Sequence, residues 1–501
     1  MLFRSRGGRG AASGAPPRAP SSPRWPLLCG ADVELGNFIE GWDLPGGSGL
    51  EAARALLQEI PGVSADWWKE VRTASSDRAG SAVGEVSWGA LVPGGSTRAA
   101  YAAEAGSGPA PRADEQDWGR RYLPANGGCC YIDLDHLEIC LPEVLSAYDH
   151  VAAWHAMLRI VREAMAAAET RLPGTQRLHV LANNSDGAGN SYGSHLDFLI
   201  SRRLWDDIFR RKLQYLLFLA SFQVSSIVYA GQGKVGSENG APPADFQLSQ
   251  RADFFEQLSA IQTTFARPIV NARDEPLCGG RPARDWDGRS FDPAVDLARL
   301  HVIFYDSNLC ETAALLKVGV LQVILAMMEA GRVSLDAILD SPLQALRAWS
   351  HDPTLRARAA CLDGRRVTAV ELQLRFHEEA CRFLAAGGAD GIVPRAAEIV
   401  DLWGDTLEKL RARRWDALSG RLDWVLKRKL LQQAAARRGD LTWAVAKHLD
   451  HLYASLDESE GLHWACRARG AVDRVVSDEA IELLRHAPPE NTRAWTRAWL
   501  L

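Results

Sequence analysis

Ionisable side chains stand two residues apart in four segments whose apolar neighbours predict buried strands. Residues i and i+2 of a β-strand lie on the same face of a sheet, so each pair would point to one side. A single pair can be a strand edge that faces water, but four pairs together indicate a shared polar face. The pairs are Asp32/Glu34, Tyr131/Asp133, His136/Glu138 and Arg299/His301.

Carboxylates and imidazoles that converge on one face need cations between them. Without cations they repel one another and lose hydration, and oxygen ligands with an occasional histidine suit Mg²⁺ or Mn²⁺. Four arginines accompany these acids: Arg251, Arg267, Arg273 and Arg299. Guanidinium groups form forked contacts with phosphate or carboxylate oxygens. The residue types therefore predict a metal bound together with nucleotide phosphates, as in Mg²⁺ with ATP.

The common phosphate-binding loops are missing from the sequence. There is no G-x-x-x-x-G-K-[ST] segment and no G-x-G-x-x-G turn between a strand and a helix, so ATP would be held in another way. The polar stretch NNSDGAGNSYGSH at 183–195 has the composition of a turn. Because it ends in His195, it is also a candidate part of the site.

Composition limits the class of protein. A chain of 501 residues with 47% hydrophobic content can bury a large core and predicts one large domain and one smaller domain. The net charge is −5, with both signs mixed along the chain, which argues against nucleic acid as the partner. No run approaches the roughly 18 apolar residues of a membrane span. The nine cysteines show no C-x-x-C pair, which favours a reducing cytoplasm over a zinc or disulfide framework.

Periodicity predicts the elements that position these residues. Strands are expected at 27–40, 129–143, 224–229, 268–271 and 300–305, a strand and turn at 178–187, and helices at 146–172 and 311–330. From about residue 335 the pattern is mostly helical. We therefore predict an α+β fold with a disordered tail at 1–26, a sheet-centred domain at 27–335 and a mainly helical domain at 336–501. The Gly- and Ser-rich stretch 45–124 is interpreted as an insertion or lid.

An ordered series of motifs resembles a known family. The motifs are GADVELG, NGGCCYIDLDHLEICLPE, NNSDGAGNSYGSH, FQLSQRADFFE, RPIVNARDEP, RLHVIFYDSNLCE, LDWVLKRKLL and APPENTRAW. From residue 27 onward the chain is similar to the Pup ligases and Pup deamidases/depupylases of the proteasome accessory factor family. This resemblance implies a glutamine-synthetase-like antiparallel or mixed sheet cradle with packed helices, and a smaller helical C-terminal domain.

The resemblance also implies roles for individual residues. Asp133 matches the catalytic aspartate. The residues that match metal ligands or the metal site are Asp32, Glu34, Tyr131, Glu138, His195 and His301. Arg251, Arg273 and Arg299 match arginines near ATP or substrate. Asp32 replaces a glutamate of the family pattern, and Cys129 replaces an arginine.

The resemblance favours the deamidase/depupylase branch, because of the D-x-x-H-x-E spacing at Asp133 and the long insertion before it. The implied activity is ATP- and Mg²⁺-dependent hydrolysis of a C-terminal Gln side-chain amide, or of the isopeptide bond between a Pup-like small protein modifier and a substrate lysine. A Pup-type ligase that acts through a glutamyl phosphate is an alternative, and a non-catalytic paralogue that binds the modifier is another. The expected setting is the cytoplasm, with a link to proteasomal degradation and no nucleic acid or membrane.

Overall fold

The computed structural model describes residues 26–43, 47–64, 120–274, 296–439 and 441–501. The expected tail therefore lies outside the described residues, except for Pro26, and so does most of the expected insertion at 45–124. The described ends of that insertion form a helix at 49–59 and two short strands at the edge of the main sheet. The division of the chain after residue 335 stays a prediction.

The main sheet is built around one long strand, β1, at Cys29–Glu40. β5, at His136–Val144, pairs along one edge of β1. On the other edge, β7, at Ser194–Ser201, pairs with the first half of β1, and β6, at Arg177–Leu181, pairs with the second half. The order β12-β7-β1-β5-β4-β3-β2, with β6 beside β1, is antiparallel throughout. Besides β1, its strands are β2 Val63–Ser64, β3 Arg121–Tyr122, β4 Cys129–Asp133, β5 His136–Val144, β6 Arg177–Leu181, β7 Ser194–Ser201 and β12 Leu297–Val302.

Three small two-stranded pairings lie outside the main sheet. Two are antiparallel: β8 Lys234–Val235 with β9 Phe246–Gln247, and β13 Ala359–Ala360 with β14 Arg366–Val367. The pair β10 Phe255–Ala260 and β11 Arg267–Asn271 is parallel.

Helices cover the apolar face of the main sheet. Ala31, Val33 and Leu35 of β1 are buried on that face. The helices α1 (Gly49–Glu59), α2 (Ala147–Glu169) and α5 (Glu311–Glu329) pack against it. The helices α7 (Ala369–Ala385) and α8 (Ala396–Arg411) then pack on α4 (Leu213–Ala230) and α5. The helices are α1 Gly49–Glu59, α2 Ala147–Glu169, α3 Arg202–Asp206, α4 Leu213–Ala230, α5 Glu311–Glu329, α6 Pro342–Ser350, α7 Ala369–Ala385, α8 Ala396–Arg411, α9 Trp415–Leu418, α10 Asp423–Arg438, α11 Trp443–Ala454, α12 Leu462–Ala468, α13 Asp478–His486 and α14 Arg493–Leu500. One π-helical turn, Asp207–Arg211, follows α3, and 3₁₀ turns occur at Ala252–Phe254 and Leu335–Ala337. The α+β class predicted from the sequence is confirmed.

Helix starts follow local capping chemistry. Ser146 caps α2 by accepting a hydrogen bond from the backbone N of Tyr148 at 3.1 Å, which satisfies a donor that the helix cannot pair internally. Thr368 and Glu371 form a reciprocal capping box at the start of α7. The predicted helix at 146–172 is therefore present, with its last turn shorter than expected.

Two of the predicted strands are wrong. Residues 224–229 belong to helix α4, because the apolar run begins at Leu213 and is long enough for five turns. The Ser221 and Ser225 hydroxyls donate to carbonyls one turn earlier, at 2.6 and 2.7 Å, so hydrogen bonds within the helix satisfy these buried polar side chains. The expected single strand 129–143 is a hairpin, β4 and β5, with a turn at 134–135 where Leu134 has a φ of 54°.

Two helices are long and apolar enough to cross a membrane by length and composition. They are α4, with 78% of its most apolar window buried, and α5, with 100% buried. Core helices of compact proteins pass the same test, and both of these helices are enclosed by other elements of the fold.

A buried carboxylate joins the segment 308–310 to the C-terminal helices. Asp423, at the start of α10, accepts hydrogen bonds from the backbone N of Leu309 and of Cys310, both at 3.0 Å. It also accepts from Asn308 Nδ2 at 3.1 Å and from Tyr453 Oη at 2.8 Å. These contacts fix α10 and α11 against the segment that leads into α5.

We predict that Asp423→Ala destabilises the protein by about 2–6 kcal/mol, because two buried backbone donors lose their acceptor at about 1–3 kcal/mol each. Urea unfolding followed by circular dichroism measures this loss. Asp416→Ala is the control, since the Asp416 carboxylate is 96% exposed and forms an ion pair with Lys429 at 3.0 Å; it should cost less than about 1 kcal/mol. Equal stability of the two variants would contradict the bridging role.

Candidate active site

One face of the main sheet carries all four ionisable pairs that the sequence analysis identified. Directly opposed residues of antiparallel strands point to the same side, so β4, β5, β1, β7 and β12 present these side chains together. We call this surface the polar face. Its register pairs across the sheet are Asp133/His136, Tyr131/Glu138, Glu34/Glu138, Asp32/His195 and His301/Asp197.

Three carboxylates form the centre of the polar face. Oxygens of Glu34, Asp133 and Glu138 all lie within 4.8 Å of one another. Glu138 is 3% exposed and Glu34 is 9% exposed, so little water is available to screen their repulsion. This oxygen donor set fits a hard divalent cation such as Mg²⁺.

Repulsion within this cluster contributes to raised pKa values of two of its carboxyl groups. Burial and the charges of Asp32, Glu34 and Asp133 raise the pKa of Glu138 well above its usual value. Burial, followed by the charge of Glu34, raises the pKa of Asp133 to about 6, although His195 acts in the opposite direction. Protons therefore take the place of a counter-charge that a bound cation would supply.

Asp133 owes its position to the β4–β5 hairpin. It is the last residue of β4 and pairs with His136 across the two-residue turn. The side chain of Asn37 holds this turn against the start of α1. Its Nδ2 donates to the carbonyls of Asp135 at 3.0 Å and Gly49 at 2.7 Å, and its Oδ1 accepts from Leu137 N at 2.8 Å.

Tyr131 stands beside the carboxylates as a hydrogen-bond partner. Its hydroxyl bonds to Glu138 and opposes the rise in the pKa of that carboxyl. The guanidinium of Arg120 lies 3.9 Å from the centre of the Tyr131 ring, a cation–π contact that fixes the ring. Burial, followed by the charge of Glu138, raises the pKa of Tyr131, so the phenol stays protonated.

Asp32 and His195 form a second group on the polar face. The Nδ1 of His195 lies 3.1 Å from Asp32 Oδ2. Burial alone would raise the pKa of Asp32, but the hydrogen bond and charge of His195, with the charges of His301 and Arg299, lower it below its usual value. Asp32 therefore stays ionised beside the carboxylate cluster.

His301 extends this second group toward β12. Its ring meets the His195 ring edge-on, with centroids 5.0 Å apart, and its Nδ1 lies 2.8 Å from Asp197. Arg299 donates to the same Asp197 oxygen at 2.6 Å. Burial and the charge of Arg299 lower the pKa of His301 to about 4, so its imidazole is neutral near pH 7 and able to act as a ligand.

The polar stretch 183–195 forms a wall of the site. The backbone N of Gly193 donates to Glu34, and Tyr192 Oη donates to Asn183 at 2.5 Å. A Cβ at position 193 would meet the His195 ring, so any larger residue there would displace that ring. Glu238 holds the loop from behind, since it contacts Ser185 Oγ and accepts from Gly189 N at 3.1 Å.

A cavity of about 500 Å³ lies over these groups, a size typical of ligand sites. Its lining includes the carboxylates of Glu34, Asp133 and Asp186 and the guanidinium groups of Arg251 and Arg267. Both arginines hold the loop, through Ser191 Oγ at 3.3 Å and the Ser191 carbonyl at 2.5 Å.

Arg251 is placed to receive an anion. It is fully buried, and its Nη2 has no hydrogen-bond partner among the described residues. Burial and the neighbouring charge of Arg267 lower the pKa of Arg251 to about 9. Two buried guanidinium groups without an acidic partner at hydrogen-bond distance among the described residues favour phosphate or carboxylate oxygens.

The structure does not bring every predicted site residue to the cavity. Glu34, Asp133, His195 and Arg251 line it, and Asp32, Tyr131, Glu138 and His301 stand beside them on the polar face. Arg299, on β12, donates to Asp197 of β7, and Arg273, which follows β11, donates from its backbone N to Asn271 Oδ1 at 2.9 Å. Neither of these two arginines lines the cavity within the described parts of the chain.

Several residues of the site were not identified from the sequence. Asn37 and Glu238 position the hairpin and the loop, and His451 reaches the cavity from α11. None of them lies in a pattern that a single sequence makes recognisable. Arg267 was noted only as one of several arginines, because no local signal distinguished it from Arg273.

Comparison with known proteins gives consistent matches. The family model described as Pup-ligase protein matches residues 95–501. A depupylase of Acidothermus cellulolyticus is 36% identical over 392 residues, covering 78% of this chain and 73% of that protein. A Pup–protein ligase of Nakamurella multipartita is 35% identical over 393 residues, covering 76% and 80%. The solved structure of the Pup ligase PafA in complex with ADP superimposes with a TM-score of 0.64, at 26% identity, covering 84% of this chain and 86% of that one.

We predict that Mg²⁺ binds about tenfold more weakly at about pH 5 than at about pH 7.5, because a proton on a carboxyl with a pKa of about 6 competes with the cation. Isothermal titration calorimetry at the two pH values measures this difference. Glu138→Gln should weaken binding at both. Glu40→Gln, at the exposed far end of β1, should leave binding unchanged. Equal affinity at the two pH values would contradict a cation site among these carboxylates.

Proposed function

The chain belongs to the Pup-ligase family, and on that basis we propose that it is an ATP- and Mg²⁺-dependent amidase. Its proposed substrates are the side-chain amide of a C-terminal Gln on a Pup-like small protein modifier, and the isopeptide bond between that modifier and a substrate lysine. The observation that carries the proposal is a cavity lined by the Glu34 and Asp133 carboxylates, which cluster with Glu138, and by the two buried guanidinium groups of Arg251 and Arg267.

The proposed reaction adds water across an amide bond. The products are a carboxylate and ammonia, or a carboxylate and the lysine amine. Asp133 is the proposed catalytic residue, because it is the part-exposed member of the carboxylate cluster and lines the cavity. With a pKa of about 6 it is mainly ionised near pH 7.5, and it would attack the carbonyl carbon directly or remove a proton from the attacking water.

The polar face provides candidate ligands for the cofactors. Glu34 and Glu138 would hold Mg²⁺, with Asp32, Tyr131, His195 and His301 as neighbouring ligands or as groups that orient them. When bound, Mg²⁺ would polarise the amide carbonyl and neutralise ATP phosphates. Arg251 and Arg267 would bind phosphate or substrate carboxylate oxygens, and ADP in the related PafA structure supports nucleotide use. Arg273 and Arg299 are proposed to act near ATP or substrate on the family resemblance alone, because neither lines the described part of the cavity.

Ligation is the second candidate function. The matching relatives include proteins named depupylase and Pup–protein ligase at nearly equal identity. In a ligase the same cavity would hold ATP while a glutamate γ-carboxylate is phosphorylated, and a lysine amine would then displace the phosphate. A paralogue that binds the modifier without catalysis is the third candidate. A cytoplasmic location and a link to proteasomal degradation belong to the same proposal.

The decisive assay uses a Pup-like peptide joined to lysine by an isopeptide bond, incubated with the protein, ATP and Mg²⁺ and followed by mass spectrometry. We expect cleavage that requires ATP and falls about 10²–10⁴-fold in Asp133→Asn, the range typical for loss of a catalytic acid–base group. Asp135→Asn, in the adjacent turn with a carboxylate that is 60% exposed, should retain most of the rate.

A second reaction mixture separates the three candidates. It contains a modifier peptide that ends in Glu, a lysine-containing acceptor, ATP and Mg²⁺. Conjugate formation with release of ADP, without cleavage in the first mixture, would assign the ligase activity. If neither cleavage products nor ADP form in either mixture, both enzyme functions are excluded and modifier binding is the remaining candidate.

Substitution of the buried arginines tests the anion-binding end of the cavity. Arg251→Lys and Arg267→Lys keep the charge but lose the forked geometry. We expect each to weaken nucleotide or substrate binding about tenfold, which corresponds to about 1.4 kcal/mol. Arg159→Lys, which alters a surface ion pair with Glu482, is the control. Wild-type Kd and KM values in both cavity variants, with folding verified by circular dichroism, would contradict this role.

A further inference from the structure

Two cysteines face each other across neighbouring strands of the polar face. Cys129 on β4 and Cys140 on β5 are direct register partners. On the next strand, β1, Asp32 is in turn the register partner of Cys140. The cysteine pair therefore lies beside the carboxylate cluster, two residues along each strand from the Tyr131/Glu138 pair.

The spacing of opposed strand residues is compatible with a disulfide bond. Directly opposed Cα atoms in antiparallel strands lie about 4.5–5.5 Å apart, and disulfide-bonded Cα atoms lie about 4.4–6.8 Å apart. Both cysteines are partly exposed. Arg120 donates to Cys129 Sγ at 3.6 Å, so the Cys129 sulfur has a defined position on the face.

This arrangement distinguishes the pair from the other described cysteines. Cys29 pairs with Val144 and Phe198, and Cys130 pairs with Arg121 and Ile139. Cys361 is paired with Leu339 through an isolated backbone β-bridge. In the described ranges, no other strand register joins two cysteines.

We propose that Cys129 and Cys140 form an oxidisable dithiol, a modification site for peroxides. One thiol reacts with a hydroperoxide to give a sulfenic acid, and the peroxide O–O bond breaks with release of water or an alcohol. The second thiol then attacks that sulfur, the S–S bond forms, and a molecule of water leaves. The peroxide is the oxidant, and an external dithiol reverses the reaction by exchange.

The disulfide has a consequence for the neighbouring catalytic groups, which rests on the proposed function. Opposed Cβ atoms lie about 4.5–5.5 Å apart in a free strand pair, whereas a disulfide holds them at about 3.5–4.5 Å. The bond therefore draws β4 and β5 together by about 1 Å beside Tyr131, Asp133 and Glu138. A displacement of that size can cost about 10²-fold in rate, so the oxidised protein has at least tenfold lower activity.

The test treats the full-length protein with hydrogen peroxide and measures intact mass and disulfide-linked peptides under non-reducing conditions. We expect loss of roughly 2 Da from the disulfide, a linked peptide pair that contains Cys129 and Cys140, and full reversal by dithiothreitol. Cys129→Ser and Cys140→Ser should each abolish the linked pair. Cys381→Ser, which removes an exposed cysteine of α7, should not.

The outcomes separate this proposal from the proposed function. Absence of the Cys129–Cys140 linked pair in peroxide-treated wild-type protein, or its replacement by links to other cysteines, would overturn the modification site whether or not the chain is an amidase. A reduced protein without activity would count against the proposed function and leave the mass result intact. An oxidised protein that contains the disulfide and keeps its full activity would overturn the inhibitory effect.

Discussion

Mutual repulsion among buried carboxylates is the constraint on which the rest of the site depends. Glu34, Asp133 and Glu138 come from three adjacent strands and meet within 4.8 Å, with little water between them. Such a cluster is stable only when protons or a cation offset its charge. The raised pKa values of Glu138 and Asp133 show the proton alternative, and the oxygen donors fit Mg²⁺.

Apolar burial on the opposite face of the sheet stabilises the arrangement that holds these charges together. The other face of β1 is apolar, and its burial against α1, α2 and α5 fixes the strand whose opposite side carries Asp32 and Glu34. Because side chains alternate along a strand, the residues that pack the core also direct the acids toward the cavity. Asn37 and Glu238 complete this positioning by bonding the hairpin turn and the loop at 183–195.

Each same-face pair could be predicted from the sequence because strand alternation is a local rule with a period of two residues. The meeting of Tyr131/Asp133 with His136/Glu138 could not, because on the expected single strand 129–143 these two pairs would face opposite sides, and the turn at 134–135 brings them together. The pairs Asp32/Glu34 and Tyr131/Asp133 required only that rule. The convergence of Arg251 and Arg267 and the reach of His451 depend on which distant segments pack together, which local periodicity does not encode. The 224–229 run was assigned to a strand for a related reason, since a short, fully buried apolar segment has no face that distinguishes a strand from a helix.

The most direct test of this account is to locate the cation itself. Crystals grown with Mn²⁺ and a non-hydrolysable ATP analogue would give an anomalous difference map. The account predicts a peak bound by Glu34 and Glu138 oxygens at about 2.0–2.6 Å, with Asp133 adjacent. Ordered nucleotide with no peak at these carboxylates, or with the cation only elsewhere, would contradict the central claim.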